Sequence, residues 1–396
     1  MRFTFKNSTG RYQDSQIWFA IIGHQGAPFF HATFDGGSRA MFAPCTPADN
    51  TVSKNGVTYA NYFHSIDKVP TAELPSALSS ARVWIAIGDV GGDHPAPLYI
   101  RIDSPTAIRQ PSVSNPSDPN YNILWDFLEF DYEPPDLFCN TSSVDAYGIP
   151  ITLTGSAGIT PSTVGYSGAR SAMFGAFQQL GSPWSDLAIS GPSGPLRIVN
   201  PQFKMPPGGI APTTFPANYL SEYIDHCWRA YADVKVTLQS PRGSSNLYTG
   251  SVDGSGHFVF VKNDAPNDQA YRHTIAKPPS ADVFGCRGVF DRVDGPSPDY
   301  AKIDGDIKNQ IASALNRTVL HNPSYDAWCQ AASFYTPWSG GSSPVTNLYA
   351  KTLHAQSTAG LAYAFAYDDQ CEQSTTIKHT GAGVESAEVT VTLTAF

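Results

Sequence analysis

Short apolar or alternating runs, separated by Gly and Pro, dominate both ends of the chain and constrain its fold more than any other feature. Residues 2–6 alternate polar and apolar side chains, and residues 16–23 form a continuous apolar run. Near the other end, residues 386–396 alternate again, with Val389 and Val391 on one predicted face. Many short strands separated by turn residues are typical of a β-sandwich or barrel, so we expect both chain ends to be β-rich.

The middle of the chain carries helical patterns instead. Residues 219–234 are the clearest case, because six apolar side chains recur there at helical spacing and share one predicted face. These six are Leu220, Tyr223, Ile224, Cys227, Trp228 and Tyr231. Residues 166–180 and 303–315 are predicted helices as well. Residues 361–367 read LAYAFAY and predict a return to β structure.

This order of patterns predicts a mainly β fold with an α/β insertion. We expect residues 1–155 and 355–396 to form one β domain, which carries the catalytic acids described below. We expect residues 156–354 to form an inserted α/β domain. A chain of 396 residues is long for one core, which favours such a composite arrangement.

The amino-acid composition limits which classes of partner and which cellular location we expect for this protein. Charged residues make up 15% of the chain, against an average of about 25%. The net charge of −9 argues against a nucleic-acid partner, because nucleic acid requires a basic surface. No membrane span or signal peptide is visible, so no membrane partner is expected. A cytosolic protein and a secreted protein whose signal peptide was removed stay open as alternatives, and the low charge with many Gly and Pro favours the secreted one.

Cysteine and histidine spacing predicts neither a metal nor a cofactor. The six cysteines allow up to three disulfides, and free buried thiols are the alternative. They are Cys45, Cys139, Cys227, Cys286, Cys329 and Cys371, with no CxxC pair. The ten histidines are scattered without ligand spacing, and no phosphate-binding, dinucleotide or GxSxG motif occurs.

The candidate active site lies in residues 122–153, which read as two strands joined by an acidic, proline-containing turn. Alternation along the first strand puts Glu129 and Asp131 on one face and Asp126 on the other. Glu129 has apolar sequence neighbours, which predicts that it keeps its proton. Asp145 follows a run of hydroxyl side chains, which predicts hydrogen bonds to an ionised carboxylate. Two acids in different protonation states are what glycoside hydrolysis requires, and purely structural acids are the alternative.

The same stretch resembles a known family. LWDFLEFDY followed by CNTSSVDAYGIPITLTG resembles the signature of glycoside hydrolase family 64, the β-1,3-glucanases that release laminaripentaose. FTFKNSTG with QIWFAIIG resembles a thaumatin-like opening, and YLSEYIDHCWRAYAD and YAKTLHAQSTAGLAYAFAYDDQ match later parts of the family in order. The resemblance implies a thaumatin-like β-sandwich or barrel plus an inserted α/β domain, with a wide groove between them. Ser313 stands where bacterial relatives are expected to carry cysteine, so a different pairing of Cys286 is expected.

The resemblance also implies an activity and roles. Glu129 and Asp145 fall on the two catalytic positions of the family, which is inverting, so Glu129 would be the general acid and Asp145 the general base. The expected partner is β-1,3-glucan, cleaved by a monomer without cofactor or metal. The candidate substrate-binding residues are Asp126, Asp131, Asn140, Tyr147 and Asp368. A non-catalytic thaumatin-like glucan-binding or antifungal protein, and a glucanase for other linkages, are the alternatives.

Overall fold

A five-stranded sheet joins the two ends of the chain. The computed structural model describes residues 1–92 and 94–396. The sheet order is Thr163–Gly165, Ile151–Gly155, Glu388–Leu393, Arg2–Asn7 and Thr71–Glu73. The first and last long strands of the chain run parallel, with Phe3 opposite Val389 and Phe5 opposite Val391. The strands predicted at 2–6 and 386–396 are therefore confirmed, and they are paired with each other.

An eight-stranded sheet carries the candidate acids. Seven strands follow in the order Ile377–His379, Asp136–Thr141, Leu124–Glu133, Leu78–Ile87, Ile17–His24, Phe29–Phe34 and Ala40–Pro44, and His64–Ser65 pairs with Ile17–His24. The two large sheets pack face to face around one apolar core, in which Phe3 meets Phe130 edge-on at 5.0 Å and Phe5 stacks on Phe19 at 4.2 Å. The predicted β architecture is thus a sandwich of two open sheets.

The opposite face of the eight-stranded sheet has its own apolar layer, formed around Trp84 and Trp125. Two hairpins belong to the segments near this face, Asn50–Lys54 with Val57–Ala60 and Arg101–Ser104 with Ala107–Arg109. Because both faces of the sheet are covered there, its central strands are apolar along most of their length.

Helices and two smaller sheets surround the other large core. The helices are Arg170–Gln179, Ser221–Asp233, Ser280–Gly285, Tyr300–Asn316 and Leu348–Gln356. One sheet has the order Ala146–Tyr147, Gly194–Val199 and Ala188–Gly191, and the other has the order Val236–Gln239, Leu247–Val252, Phe258–Lys262 and Arg272–Ile275. The helix predicted at 219–234 is confirmed, and it buries its predicted face in this core. The division of the chain at 155 and 355 stays a prediction.

The strand predicted at 361–367 is wrong. This segment is irregular, although Ala362, Ala364 and Phe365 are buried. Its backbone bonds go elsewhere: the Ala364 N–H donates to Asp368 Oδ2 at 2.9 Å, and the Tyr363 carbonyl accepts from the Ser143 N–H at 2.8 Å. The apolar pattern therefore reflects burial rather than strand pairing.

A disulfide joins Cys329 and Cys371, whose Cα atoms are 5.4 Å apart. Cys286 is a free thiol bonded to the Val283 carbonyl and to Asn316, so the expected new pairing of Cys286 is wrong. The remaining free thiols are Cys45, Cys139 and Cys227, all buried.

Within residues 1–92 and 94–396, no helix is long and apolar enough to cross a membrane.

Candidate active site

Glu129 lies at the centre of the eight-stranded sheet with a neighbour on each side. In the antiparallel register it is opposite Asn140 on one adjacent strand and opposite Arg82 on the other. Leu128 and Phe130 point into the sandwich core, while Glu129 faces the other way. The predicted facing of this strand is confirmed, because the period of two in an extended chain sends alternate side chains to opposite faces.

The surroundings of Glu129 differ from the prediction. Its Oε1 accepts from Arg82 Nη2 at 2.8 Å and from Arg82 Nε at 3.1 Å. The side chain is 36% exposed, so the apolar enclosure expected from its sequence neighbours is wrong. Those apolar neighbours either point to the other face or pack sideways, as Phe127 does under the Arg82 guanidinium at 4.3 Å.

Asp145, like Glu129, has a partly exposed side chain. Its side chain keeps 46% exposure, yet it lies in a cavity wall where protein replaces much of its water. This burial raises the pKa of Asp145, while the positive charges of Arg287 and Arg82 oppose the rise and Glu129 adds to it. Arg287 Nη2 is 3.7 Å from Asp145 Oδ1.

The hydroxyl groups expected around Asp145 are engaged elsewhere. Ser143 Oγ pairs with Tyr166 Oη at 3.1 Å, and Thr141 Oγ1 donates to Thr375 Oγ1 at 3.0 Å. The predicted hydrogen bonds to a stabilised carboxylate are therefore wrong. Ser142 lines the same cavity as Asp145, whereas Thr141 belongs to the strand Asp136–Thr141, whose side chains alternate between its two faces.

Hydrogen bonds from distant residues to backbone carbonyls fix the segment that carries Asp145. The Asn200 N–H donates to the Asp145 carbonyl at 2.9 Å, and Asn200 Nδ2 donates to the Val144 carbonyl at 3.1 Å. Tyr349 Oη donates to the Ser143 carbonyl at 2.6 Å. These partners belong to the segments around the other large core. Those segments therefore position Asp145, although Asp145 itself follows a strand of the sandwich.

Asp126 holds the same segment from the other side. Its Oδ2 accepts the N–H groups of Gly148 at 2.8 Å and Ile149 at 2.9 Å, and its Oδ1 accepts the N–H of Phe127 at 2.8 Å. Burial raises the pKa of Asp126 to about 6 despite these bonds. Its oxygens serve the backbone, so the structure gives Asp126 a positioning role in place of the predicted substrate contact.

Two more predicted substrate-binding residues are enclosed. Tyr147 is 1% exposed and packs edge-on against Tyr166 at 5.1 Å. Asp368 is fully buried, with Arg317 Nη2 at 3.0 Å and His354 Nε2 at 2.9 Å from its carboxylate oxygens. A polysaccharide cannot reach either side chain, and both predictions are corrected to structural roles.

Two cavities open beside the acids. One, of about 400 Å³, is lined by Glu129 with Asp131, Asn140 and Phe138. The other, of about 250 Å³, is lined by Asp145 with aromatic side chains and three arginines, Arg82, Arg197 and Arg287. Arg82 and Gln110 line both cavities, so they lie between the two acids.

Sequence reasoning missed Arg82, Gln110, Phe138 and Arg287. Arg82 interrupts an apolar strand, which was a usable signal, but only the strand register pairs it with Glu129. Arg287 follows a short helix far along the chain, and no local pattern connects it with Asp145.

Among the described residues, no group of three or more His, Cys, Asp or Glu side chains is arranged to hold a metal ion.

Comparison with known proteins identifies the family. Residues 1–392 match the sequence model of the glycoside hydrolase family 64 β-1,3-glucanases. The chain belongs to glycoside hydrolase family 64. The resemblance predicted from LWDFLEFDY and CNTSSVDAYGIPITLTG is thereby confirmed, and the match extends over nearly the whole chain.

Curated relatives and solved structures agree with this membership. The chain is 31% identical over 276 residues to proteins named glucan endo-1,3-beta-glucosidase from Cellulosimicrobium cellulans and Arthrobacter sp. (strain YCWD3). That match covers 66% of this chain and 44% of each relative, so the chain spans less than half the length of the curated relatives it matches.

Among solved structures, a family 64 β-1,3-glucanase domain from Clostridium beijerinckii is 27% identical, with a TM-score of 0.76 over 99% of this chain and 98% of that one. A laminaripentaose-producing β-1,3-glucanase in complex with laminaritetraose has the same fold, with 24% identity and a TM-score of 0.74 over 100% of this chain and 98% of that one.

Proposed function

We propose that the chain hydrolyses β-1,3-glucan as an endo-acting glycoside hydrolase. The observation that carries the proposal is the placement of Glu129 and Asp145 at two adjoining cavities that share Arg82 and Gln110. Membership of family 64 supports the substrate class. We further propose that the products are short oligosaccharides such as laminaripentaose. The protein would be secreted and would act as a monomer. The sandwich would be the thaumatin-like domain, and the groove would lie between it and the inserted domain.

The proposed mechanism gives each acid one proton transfer. Glu129 donates a proton to the leaving glycosidic oxygen, and Asp145 takes a proton from the water that attacks the anomeric carbon. Both bonds from Arg82 to Glu129 go to Oε1, which leaves Oε2 as the oxygen to carry the proton. Inversion requires room for that water, about 6.5–9.5 Å between the two carboxyl groups.

Substrate contacts are proposed for side chains near Glu129. Asn140 is opposite Glu129 in the strand register and lines the same cavity, so its side chain is placed to bond a sugar hydroxyl. Phe138 is 41% exposed beside it and offers an apolar surface to a pyranose ring. Asp131 lines the same cavity, although its Oδ1 already accepts the Ser80 N–H at 2.5 Å.

The test is digestion of laminarin by the wild type and by Glu129→Gln and Asp145→Asn. We expect each variant to fold and to lose about 10²–10⁴-fold in turnover, the usual contribution of one general acid or base. Glu388→Gln, a carboxylate change in the five-stranded sheet, is the matched control and should keep full activity. Near-full activity in Glu129→Gln or Asp145→Asn would show that the assignment of that residue is wrong.

Proton NMR of the first minutes of digestion tests the stereochemistry. Early α-anomer would support inversion with Asp145 acting through a water. Early β-anomer would mean retention and would refute the role of Asp145 as general base. Glucan binding without new reducing ends would favour the non-catalytic glucan-binding protein instead.

A further inference from the structure

We propose that Arg82 is a positioning residue that fixes the proton-carrying oxygen of Glu129 and, through its charge, sets how far toward low pH Asp145 can act as the base. This inference rests on the proposed hydrolysis. Neither the family signature in the sequence nor the predicted site residues include Arg82, which lies on a different strand, Leu78–Ile87.

The strand register makes the contact between Arg82 and Glu129 direct. The two residues are Cα partners in an antiparallel pair, so their side chains emerge side by side on one face. Nε and Nη2 of Arg82 both donate to Oε1 of Glu129, at 3.1 and 2.8 Å. Because both donors bind one oxygen, the other oxygen is left to carry the proton, which is the arrangement a proton donor needs.

Further contacts fix the guanidinium itself. Arg82 Nη1 donates to Oε1 of Gln110, and the guanidinium carbon lies 4.3 Å from the ring centre of Phe127 and 5.4 Å from that of Trp84. An arginine fork bonded on both sides and packed on an aromatic face loses little further freedom when it orients a carboxylate. Arg82 is therefore arranged before substrate arrives.

Arg82 also acts on the second acid. It lines the cavity of Asp145 as well as that of Glu129, and its charge opposes the effect of burial on Asp145. Removing this charge would make Asp145 hold its proton to higher pH. Because Asp145 must be ionised to act as the base, the acidic limb of the pH profile would move to higher pH.

Other titratable groups face the same region and stay unchanged in an Arg82 variant. Asp131 extends from the strand of Glu129, and His24 from strand Ile17–His24. Arg287 approaches Asp145 from the segment after helix Ser280–Gly285. Tyr363 interacts electrostatically with both Asp369 and Glu129. A comparison of variant with wild type therefore isolates the charge of Arg82.

The experiment is the pH dependence of kcat/KM on laminarin for wild type, Arg82→Gln and Arg82→Lys. For Arg82→Gln we expect the acidic limb to move to higher pH by about 0.5–1 unit, less than a buried charge pair would give because the site is partly exposed. For Arg82→Lys we expect an acidic limb near that of wild type and a kcat about tenfold lower, because one ammonium group does not reproduce the forked contact.

Arg2→Gln is the matched control. Arg2 forms a cross-strand ion pair with Glu388, Nε to Oε2 at 3.1 Å, in the five-stranded sheet, so its loss should leave the pH profile unmoved. An inactive wild type would refute the proposed hydrolysis rather than the role of Arg82. An active wild type with an unmoved acidic limb in Arg82→Gln would overturn the charge effect, and a wild-type kcat in Arg82→Lys would overturn the positioning. If Arg82→Gln does not fold, the result for Arg82→Lys decides.

Discussion

Replacing Asp126 with asparagine is expected to change how the stability of the protein depends on pH. Burial raises the pKa of Asp126 from 3.8 to about 6, so the folded protein holds this proton where the unfolded chain has already released it. The stabilising effect of this proton is fully present below pH 3.8 and is lost as pH rises through about 6. Asparagine carries no titrating proton at this position.

The magnitude follows from the two pKa values. At about 1.36 kcal/mol per pKa unit, the loss amounts to about 3 kcal/mol in all, of which about 2 kcal/mol falls between pH 4.5 and 7.5. The substitution has a second effect, which destabilises the variant by the same amount at every pH. The asparagine NH₂ group must face at least one of the N–H groups of Phe127, Gly148 or Ile149, which costs about 1–3 kcal/mol for an unsatisfied donor.

The assay is urea unfolding, followed by tryptophan fluorescence, of wild type and Asp126→Asn at several pH values from 4.5 to 7.5. We expect the variant to be the less stable protein at pH 4.5 and to gain about 2 kcal/mol relative to wild type by pH 7.5. Asp35→Asn, on the exposed surface, is the control and should parallel the wild-type curve. A constant difference between wild type and Asp126→Asn over this range would refute the reasoning.

Two further predictions concern the segment that carries Asp145. Arg287→Gln removes a charge that opposes the rise in the pKa of Asp145, so the acidic limb of kcat/KM should move to higher pH while the alkaline limb stays in place; movement of the alkaline limb alone would contradict the assigned roles. Gly148→Ala would place a Cβ 2.5 Å from the Trp125 carbonyl oxygen, so the variant should unfold at lower temperature and show reduced kcat, whereas Gly37→Ala meets no atom within 4 Å and controls for the loss of a glycine. A wild-type melting temperature for Gly148→Ala would show that the backbone shifts freely there.

Local periodicity accounts for what could be predicted. Alternation located strands Arg2–Asn7 and Glu388–Leu393, and it assigned Glu129 and Asp126 to opposite faces. Helical spacing located Ser221–Asp233. These features depend on residues a few positions apart, whose relative directions are set by backbone geometry alone.

Predictions from local patterns were wrong where burial or a distant partner determines the conformation or exposure of a residue. Residues 361–367 have the composition of a strand, but they cross a core and bond to Asp368 and Ser143 instead of a neighbouring strand. Tyr147 and Asp368 are next to the acids or aromatics in sequence, yet both are enclosed. Polarity in the sequence does not distinguish a buried, bonded group from one that faces a groove.

By itself, the sequence determined the family, the mainly β class and the strand that carries Glu129. Only the tertiary structure decided the environments of the two acids. Glu129 is bonded to Arg82, 47 residues away, because two strands align in one register, and the charge that lies closest to Asp145 comes from Arg287. Charge and solvation at a site are sums over everything nearby in space, and chain folding brings most of those groups from elsewhere in the sequence.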